Sequence, residues 1–205
     1  MNEIQTSSVP HFAAGTPSIV AAPQHTPHQI LGPYFPAIDS PIATDDLTVV
    51  DGIAARAQGE IIVVEGRVLN RAGEPVEGAR LVIWQANSFG RYAHLNDTNP
   101  EPLDESFVGF AEIISGCDGA YRFKTVKPGA YPAGSDRIRP PHIHFEIQGK
   151  FDRLITQMYF PGEPLNARDP LLLSANAPDL LIARPLISLH NSYRTFVFDI
   201  VLIRG

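Results

Sequence analysis

The chain has a single cysteine, Cys117, among 205 residues. No internal disulfide is possible, and the composition fits a reducing compartment. Basic residues are in deficit: 16 Lys and Arg face 22 Asp and Glu, a formal net charge of −6. Without a basic footprint, nucleic acid is not an expected partner. No apolar run approaches the roughly 18 residues that a membrane-spanning helix needs. The N-terminus has no positive segment ahead of an apolar core, so no secretory signal is expected. These absences together lead to the expectation of a soluble cytoplasmic protein. Long amphipathic helical patterns and internal repeats are also missing.

Turn formers are plentiful: 19 prolines and 16 glycines punctuate short apolar runs. That is how an all-β domain with many turns reads. Residues 1–28 are rich in Pro, Ser, Thr and Ala without periodicity, and are expected to be an extended arm, ordered only if it packs on something. Tyr34 and Phe35 in QILGPYFP (29–36) are expected to be packed, by an internal tether or by a subunit contact. Val- and Ile-rich or alternating runs predict strands over 59–70, 79–87, 107–115, 120–126, 142–149, 153–160 and 193–203. The stretch 161–184 reads as loop with one helical turn. The expected fold is an all-β sandwich with long loops and little helix, spanning residues 29–205. Trp84, the only tryptophan, reads as a packing residue of the second strand.

The chemistry concentrates in YPAGSDRIRPPHIHF (131–145). Along a strand alternate side chains share a face, so His142 and His144 point the same way, about 6.5–7 Å apart along the backbone. Two imidazoles on one face suit a transition metal. One core histidine and one surface histidine would explain the pair more simply. Glu146 shares that face and could complete a two-histidine, one-carboxylate ferrous site, or it could be a solvated charge. A different set is open as well. Tyr92 and Tyr131 lie in Gly/Pro-flanked loops, where sites on a rigid sandwich usually form. A phenol ionises near pH 10, so only a strongly Lewis-acidic ion such as ferric iron holds it as a phenolate at neutral pH.

The segments GRVLNRAGEPVEGARLVIWQANSFGRYAH, CDGAYRFKTVKPGAYP, RPPHIHFEIQG and RLITQMYFPGEP resemble the intradiol ring-cleavage dioxygenases, and their protocatechuate-cleaving branch in particular. The match runs from LGPYF to FDIVLIRG. The resemblance implies a non-haem Fe(III) held by Tyr92, Tyr131, His142 and His144, with no organic cofactor. It implies that Tyr131 is the tyrosinate released when a catechol binds, and that Arg139 stabilises charge on the bound ring. It also implies that Gln157 lines the oxygen side of the pocket. The implied reaction cleaves a catechol with O2 between its hydroxylated carbons to a cis,cis-muconate, with protocatechuate or a related substituted catechol as substrate. A homo-oligomer, or a hetero-oligomer with a related non-catalytic chain, is the implied assembly.

Two departures stand out. Ala133 occupies the place, two residues after Tyr131, where that branch carries tryptophan, and the loop from Pro132 to Arg139 is shorter. The first opens room for a bulkier or differently substituted ring, and the shorter loop is expected to rim the same pocket. The helical N-terminal domain of the catechol-cleaving branch is not expected here, which favours the protocatechuate-cleaving branch. Runs such as DGAYRFKTVKPGAY also resemble transthyretin-like sandwich modules, so a non-catalytic binding module or partner subunit is the alternative. A zinc or copper site built on the histidines alone would leave both loop tyrosines without a role.

Overall fold

The computed structural model describes residues 22–36, 42–134, 136–187 and 192–205. The strands in chain order are β1 (Ile61–Leu69), β2 (Arg80–Trp84), β3 (Phe110–Ile114), β4 (Ala120–Val126), β5 (Tyr131–Pro132) and β6 (Ile138–Arg139). They continue as β7 (His142–Gln148), β8 (Arg153–Tyr159), β9 (Arg184–Leu186), β10 (Arg194–Val197) and β11 (Ile200–Val201). Helix is confined to the 3-10 turns Pro164–Arg168 and Pro178–Leu181 and the single turn α1, Pro170–Leu173. Among the described residues no helix is long and apolar enough to cross a membrane.

Two sheets face each other, as the all-β sandwich expectation requires. In the first, β1 is flanked by antiparallel β4 on one side and by parallel β10 and then β11 on the other, with β9 on β10. The second is antiparallel in the order β3-β2-β7-β8. The period-two pattern explains the core. Ile62, Val64 and Phe123 come from one sheet, Leu81, Ile83, Ile143, Phe145 and Ile147 from the other, all at most 1% exposed. Each such side chain contributes about 1.5–3 kcal/mol by leaving water.

The alternate residues of the second sheet point away from this core, and yet they are buried too. Val82 and Trp84 join Ala86, Tyr92 and Tyr131 in a second apolar cluster, with Leu31, Tyr34 and Phe35 packed on it. Strand β7 (HIHFEIQ) is therefore covered on both faces, and only its last residue is exposed. Its core face carries the aliphatic and phenylalanine residues. Its outer face carries His142, His144 and Glu146.

What covers the outer face comes partly from the segment before the sandwich. Thr26 donates its N–H to Val201 O at 3.1 Å and accepts from Val201 N at 2.9 Å. Thr156 Oγ1 donates to Pro27 O at 2.9 Å, and Gln29 N donates to Ile155 O at 2.8 Å. The described end of the arm is thus a strap over β11 and β8, and it delivers Gly32–Phe35 to the site. Most of the arm, residues 1–21, lies outside the described residues.

Three expectations are corrected. The closing strand 193–203 is broken into β10 and β11, because the Asp199 carboxylate, not a backbone carbonyl, accepts Arg67 N, while Tyr121 Oη donates to Phe198 O. The 161–184 stretch holds three short helical turns instead of one, and β9 begins at its end. The proline-glycine turn at 127–134 contains β5, which pairs with β6 so that Tyr131 lies opposite Arg139.

Candidate active site

Strand β7 sets the two histidines, and its neighbours lock them. His142 pairs across β8 with Tyr159 and His144 with Gln157, while Trp84 of β2 lies opposite His144. The Trp84 indole stacks on the His144 ring at 4.8 Å and 13°. This sole tryptophan is a packing residue, as its sequence position suggests, but against the site and not in the main core. Gly32 closes the other side: its φ is +78°, and a Cβ there would lie 3.2 Å from His144 Cε1. His142 Nδ1 is 2.7 Å from Pro140 O, a group that can only accept, so this nitrogen carries the proton. His142 Nε2 is left with a free lone pair. It points at His144 Nε2, 3.1 Å away, and at Tyr131 Oη, 3.4 Å away.

Both imidazoles are held neutral. Burial, followed by the positive charge of Arg139, lowers His142 far below its ordinary range and lowers His144 to about 3.

The tyrosines arrive on two loops that meet backbone to backbone. Asn87 organises the first: its carbonyl accepts from Gly90 N and Gly129 N, and its side-chain oxygen accepts from Phe89 N and Arg91 N. Asp97 accepts from Tyr92 N at 2.7 Å and from Asn99 N, whose side chain in turn donates to Gly90 O. Gly90, with φ +84°, permits the contact, since a Cβ there would fall 2.2 Å from Ala130 O. Tyr92 and Tyr131 consequently meet edge to face at 5.4 Å, and Tyr92 lies 6.3 Å from the His144 ring. Tyr34 lies against Tyr92 at 4.5 Å, tilted by 31°, and Phe35 packs edge-on to Trp84 at 5.0 Å, so both fulfil the expectation of being packed, through the internal tether.

The Tyr92 hydroxyl is buried without a partner in hydrogen-bonding geometry, although the Tyr131 phenol is near enough to couple to it electrostatically. Burial raises both phenols above their ordinary value, Tyr92 strongly.

Arg139 is fixed from behind. Its Nε donates to Asp169 Oδ2 at 2.9 Å, and its Nη2 donates to Gln157 Oε1 at 2.8 Å and Tyr159 Oη at 2.7 Å. Gln157 donates onward to Ile30 O at 3.0 Å. It is fully buried, and its amide spans the arginine and the strap. Burial alone would lower the Arg139 pKa, but Tyr159, Tyr131 and Asp169 outweigh it and raise the value.

Glu146, weighed in the sequence as a third ligand on this face, is instead engaged with Arg153 Nε at 2.5 Å. Among the described residues no group of three His, Cys, Asp or Glu gathers anywhere. The phenols of Tyr131 and Tyr92 are the further donors nearest to His142 and His144. The donor set fits a metal ion: two neutral imidazoles with converging nitrogens, one phenol in reach and one buried hydroxyl without a partner.

A cavity of about 870 Å3 opens beside this cluster, lined by Tyr34, Tyr131, Ala133, Arg139 and His144 among others. Of the residues singled out in the sequence, Tyr92, Tyr131, His142, His144, Arg139 and Gln157 all converge here. Asn87, Asp97, Tyr159 and Asp169 escaped notice. Of these, only Asp169 carried a usable signal, its place before Pro170 as a helix cap, where it accepts from Leu171 N.

Residues 30–204 match the family model Dioxygenase_C, described as a dioxygenase. The chain is 45% identical over 152 residues to the protocatechuate 3,4-dioxygenase beta chain of Burkholderia cepacia, a span covering 70% of this chain and 65% of that one. It is 31% identical over 149 residues to a hydroxyquinol 1,2-dioxygenase of Rhizobium sp., covering 66% of this chain and 48% of that enzyme. The match thus spans just under two thirds of the first relative's length and about half of the second's. Among solved structures, the dioxygenase domain of a dioxygenase carbohydrate-binding fusion from Streptomyces sp. SirexAA-E superposes with a TM-score of 0.68 at 30% identity, covering 89% of this chain and all of that one. Catechol 1,2-dioxygenase from Acinetobacter sp. ADP1 superposes with a TM-score of 0.67 at 25% identity, covering 87% and 63%. With the family model covering nearly all of the sandwich, the chain belongs to the intradiol ring-cleaving dioxygenase family.

Proposed function

We propose that this chain is a non-haem ferric dioxygenase that opens the ring of a substituted catechol between its two hydroxylated carbons, with O2, to a cis,cis-muconate. The observation that carries the reading is the convergence of His142 Nε2, His144 Nε2 and Tyr131 Oη, beside the partnerless hydroxyl of Tyr92. Fe(III) held by these four residues would supply the Lewis acidity that keeps phenolate and catecholate oxygens anionic and draws charge from the ring.

The chain's own residues do the rest. Tyr131, the only one of the four on a cavity wall besides His144, is placed to take a diol proton on Oη as the diol enters. Arg139 presents a fixed positive charge to the ring, held in place by Asp169, Gln157 and Tyr159, so little reorganisation is needed as negative charge develops. The strap and the packed rings of Tyr34, Phe35 and Trp84 keep bulk water from the histidine side. The chemistry balances: the carbon–carbon bond between the hydroxyls breaks, both atoms of O2 enter the product, and two phenolic protons become those of two carboxylic acids. A homo-oligomer or a pairing with a related chain, in the cytoplasm, completes the proposal.

The test is metal analysis, visible absorption and oxygen uptake on purified protein. Expected are one iron per chain, colour from tyrosinate-to-iron charge transfer, and a product heavier than the diol by one O2. One zinc per chain without iron, or an iron-loaded protein that is colourless and inert towards every diol, would overturn it.

A further inference from the structure

Resting on that ring-opening reading, we propose that the substrate is an ortho-diphenol bearing a bulky arm that ends in a carboxylate, and that Arg137 and Arg168 at the cavity rim receive that carboxylate.

The first observation is size. The cavity holds about 870 Å3, whereas a single ring with two hydroxyls fills roughly 150 Å3 at interior packing density. Cavities of this volume hold ligands of drug size. Ala133 sits on the wall two residues beyond Tyr131 and is half-buried, so its methyl group leaves the space next to the ring open.

The second observation is the apolar flank. Ile30 and Ile138 line the cavity while 51% and 61% exposed, and Leu165, Pro170 and Leu171 continue the same surface. Large aliphatic side chains left half in water around a concave site are what an apolar or aromatic arm would cover.

The third observation is charge. Six charged residues line the cavity: Asp97, Asp136, Asp169, Arg137, Arg139 and Arg168. Two of the carboxylates are committed: Asp97 caps Tyr92 N and Asn99 N, and Asp169 holds Arg139, while Asp136 is a residue with an interaction of its own. Arg139 is turned inward on Asp169, Gln157 and Tyr159. Arg137 and Arg168 are exposed and make no ion pair among the described residues, so they are the two cations left to meet a ligand. A planar carboxylate matches the donor fork of a guanidinium. Because both arginines sit at the rim, the carboxylate belongs at the end of an arm and not on the ring itself.

The experiment compares kcat/KM by oxygen uptake on iron-loaded protein for catechol, protocatechuate, caffeoylquinate and caffeoylquinate methyl ester. Expected are a preference of about tenfold or more for caffeoylquinate over protocatechuate, and of about two- to fivefold for the acid over its ester, the worth of one exposed ion pair. In Arg137→Ala and Arg168→Ala the acid-to-ester ratio should fall towards one, and Arg168→Lys should restore part of it. Calorimetric binding of feruloylquinate, whose methoxy group blocks the diol, reads the same arginine dependence without turnover. Turnover of catechol or protocatechuate but not of caffeoylquinate overturns this assignment while leaving the ring-opening reading intact. Equal affinity for feruloylquinate and its ester also overturns it. If no diphenol consumes oxygen, the ring-opening reading falls and this assignment falls with it.

Discussion

Replacing Asp169 with asparagine tests how far Arg139 depends on the carboxylate behind it. The Asp169 side chain has no solvent exposure and the Arg139 side chain 10%, so water screens the pair weakly. Oδ2 accepts from Arg139 Nε at 2.9 Å and lies 2.9 Å from Nη2, while Oδ1 accepts from Leu171 N at 2.8 Å. Asparagine offers one oxygen for these two jobs. With that oxygen on Leu171, the amide NH2 confronts the Arg139 N–H groups, donor against donor. With the amide turned, the cap of α1 is lost instead, at about 1 kcal/mol. Breaking a buried ion pair from one side costs about 3–5 kcal/mol. Gln157 and Tyr159 still receive Nη2, which places the expected loss near 3 kcal/mol. Urea unfolding should show this as a lower midpoint at unchanged m-value. On the proposed function, kcat/KM should also fall while iron content stays at that of the native protein. A stability change below about 1 kcal/mol, with kcat/KM intact, would refute the dependence of Arg139 on this carboxylate.

Gly90→Ala forces a Cβ to 2.2 Å from Ala130 O at a φ of +84°, so at least about 2 kcal/mol should be lost in urea. A neutral result would mean that the two tyrosine loops can separate freely. Tyr92→Phe removes a hydroxyl with no partner, so the metal-free protein should keep its stability within about 1 kcal/mol. Iron stoichiometry and visible absorbance should both drop, and native values for either would remove Tyr92 from the proposed ligand set. Burial raises the Asp46 carboxyl, but hydrogen bonds from Lys124 and Thr48 outweigh it and its pKa is lowered. Its stabilisation is then complete above the unfolded value of about 3.9 and is lost as pH falls through the lower folded value. Asp46→Asn should therefore cost stability at pH 7 and progressively less as the pH falls below the unfolded value, and a cost that does not shrink on acidification would contradict this sign.

The sandwich and its strands could be read from the chain because period-two alternation reports directly on which face is buried. The same rule placed His142 and His144 side by side. It could not say that their face is covered, since the cover comes from residues 26–35 and from the Tyr92 loop, both remote in sequence. Tyr92 and Tyr131 stood out by their Gly/Pro-flanked loops, and the family resemblance added their roles, but nothing local predicts that Gly90 lets those loops touch. Trp84 was legible as a packing residue but not as a plate against His144, which requires the register of β2 on β7. The Arg139–Asp169 pair joins positions 30 residues apart, and no strand or helix periodicity links them. Arg168 was silent for the same reason.

The strap has a consequence for how the protein is made. Thr26 is bonded to Val201, 175 positions further along the chain, and the segment it anchors carries Gly32, Tyr34 and Phe35 onto the histidine face. While a ribosome is still holding β11, the sheets can already pair and the early segment can reach β8 through Pro27, Gln29 and Ile30, but its bonds to Val201 cannot form. Completion of the strap therefore waits for β11, and metal captured by a chain that lacks it would meet a less firmly covered set of donors. Long-range clasps of this kind form slowly compared with local hairpins. Pulse-labelled hydrogen exchange at Thr26 and Val201 amides should lag behind that of β7 and β8 during refolding.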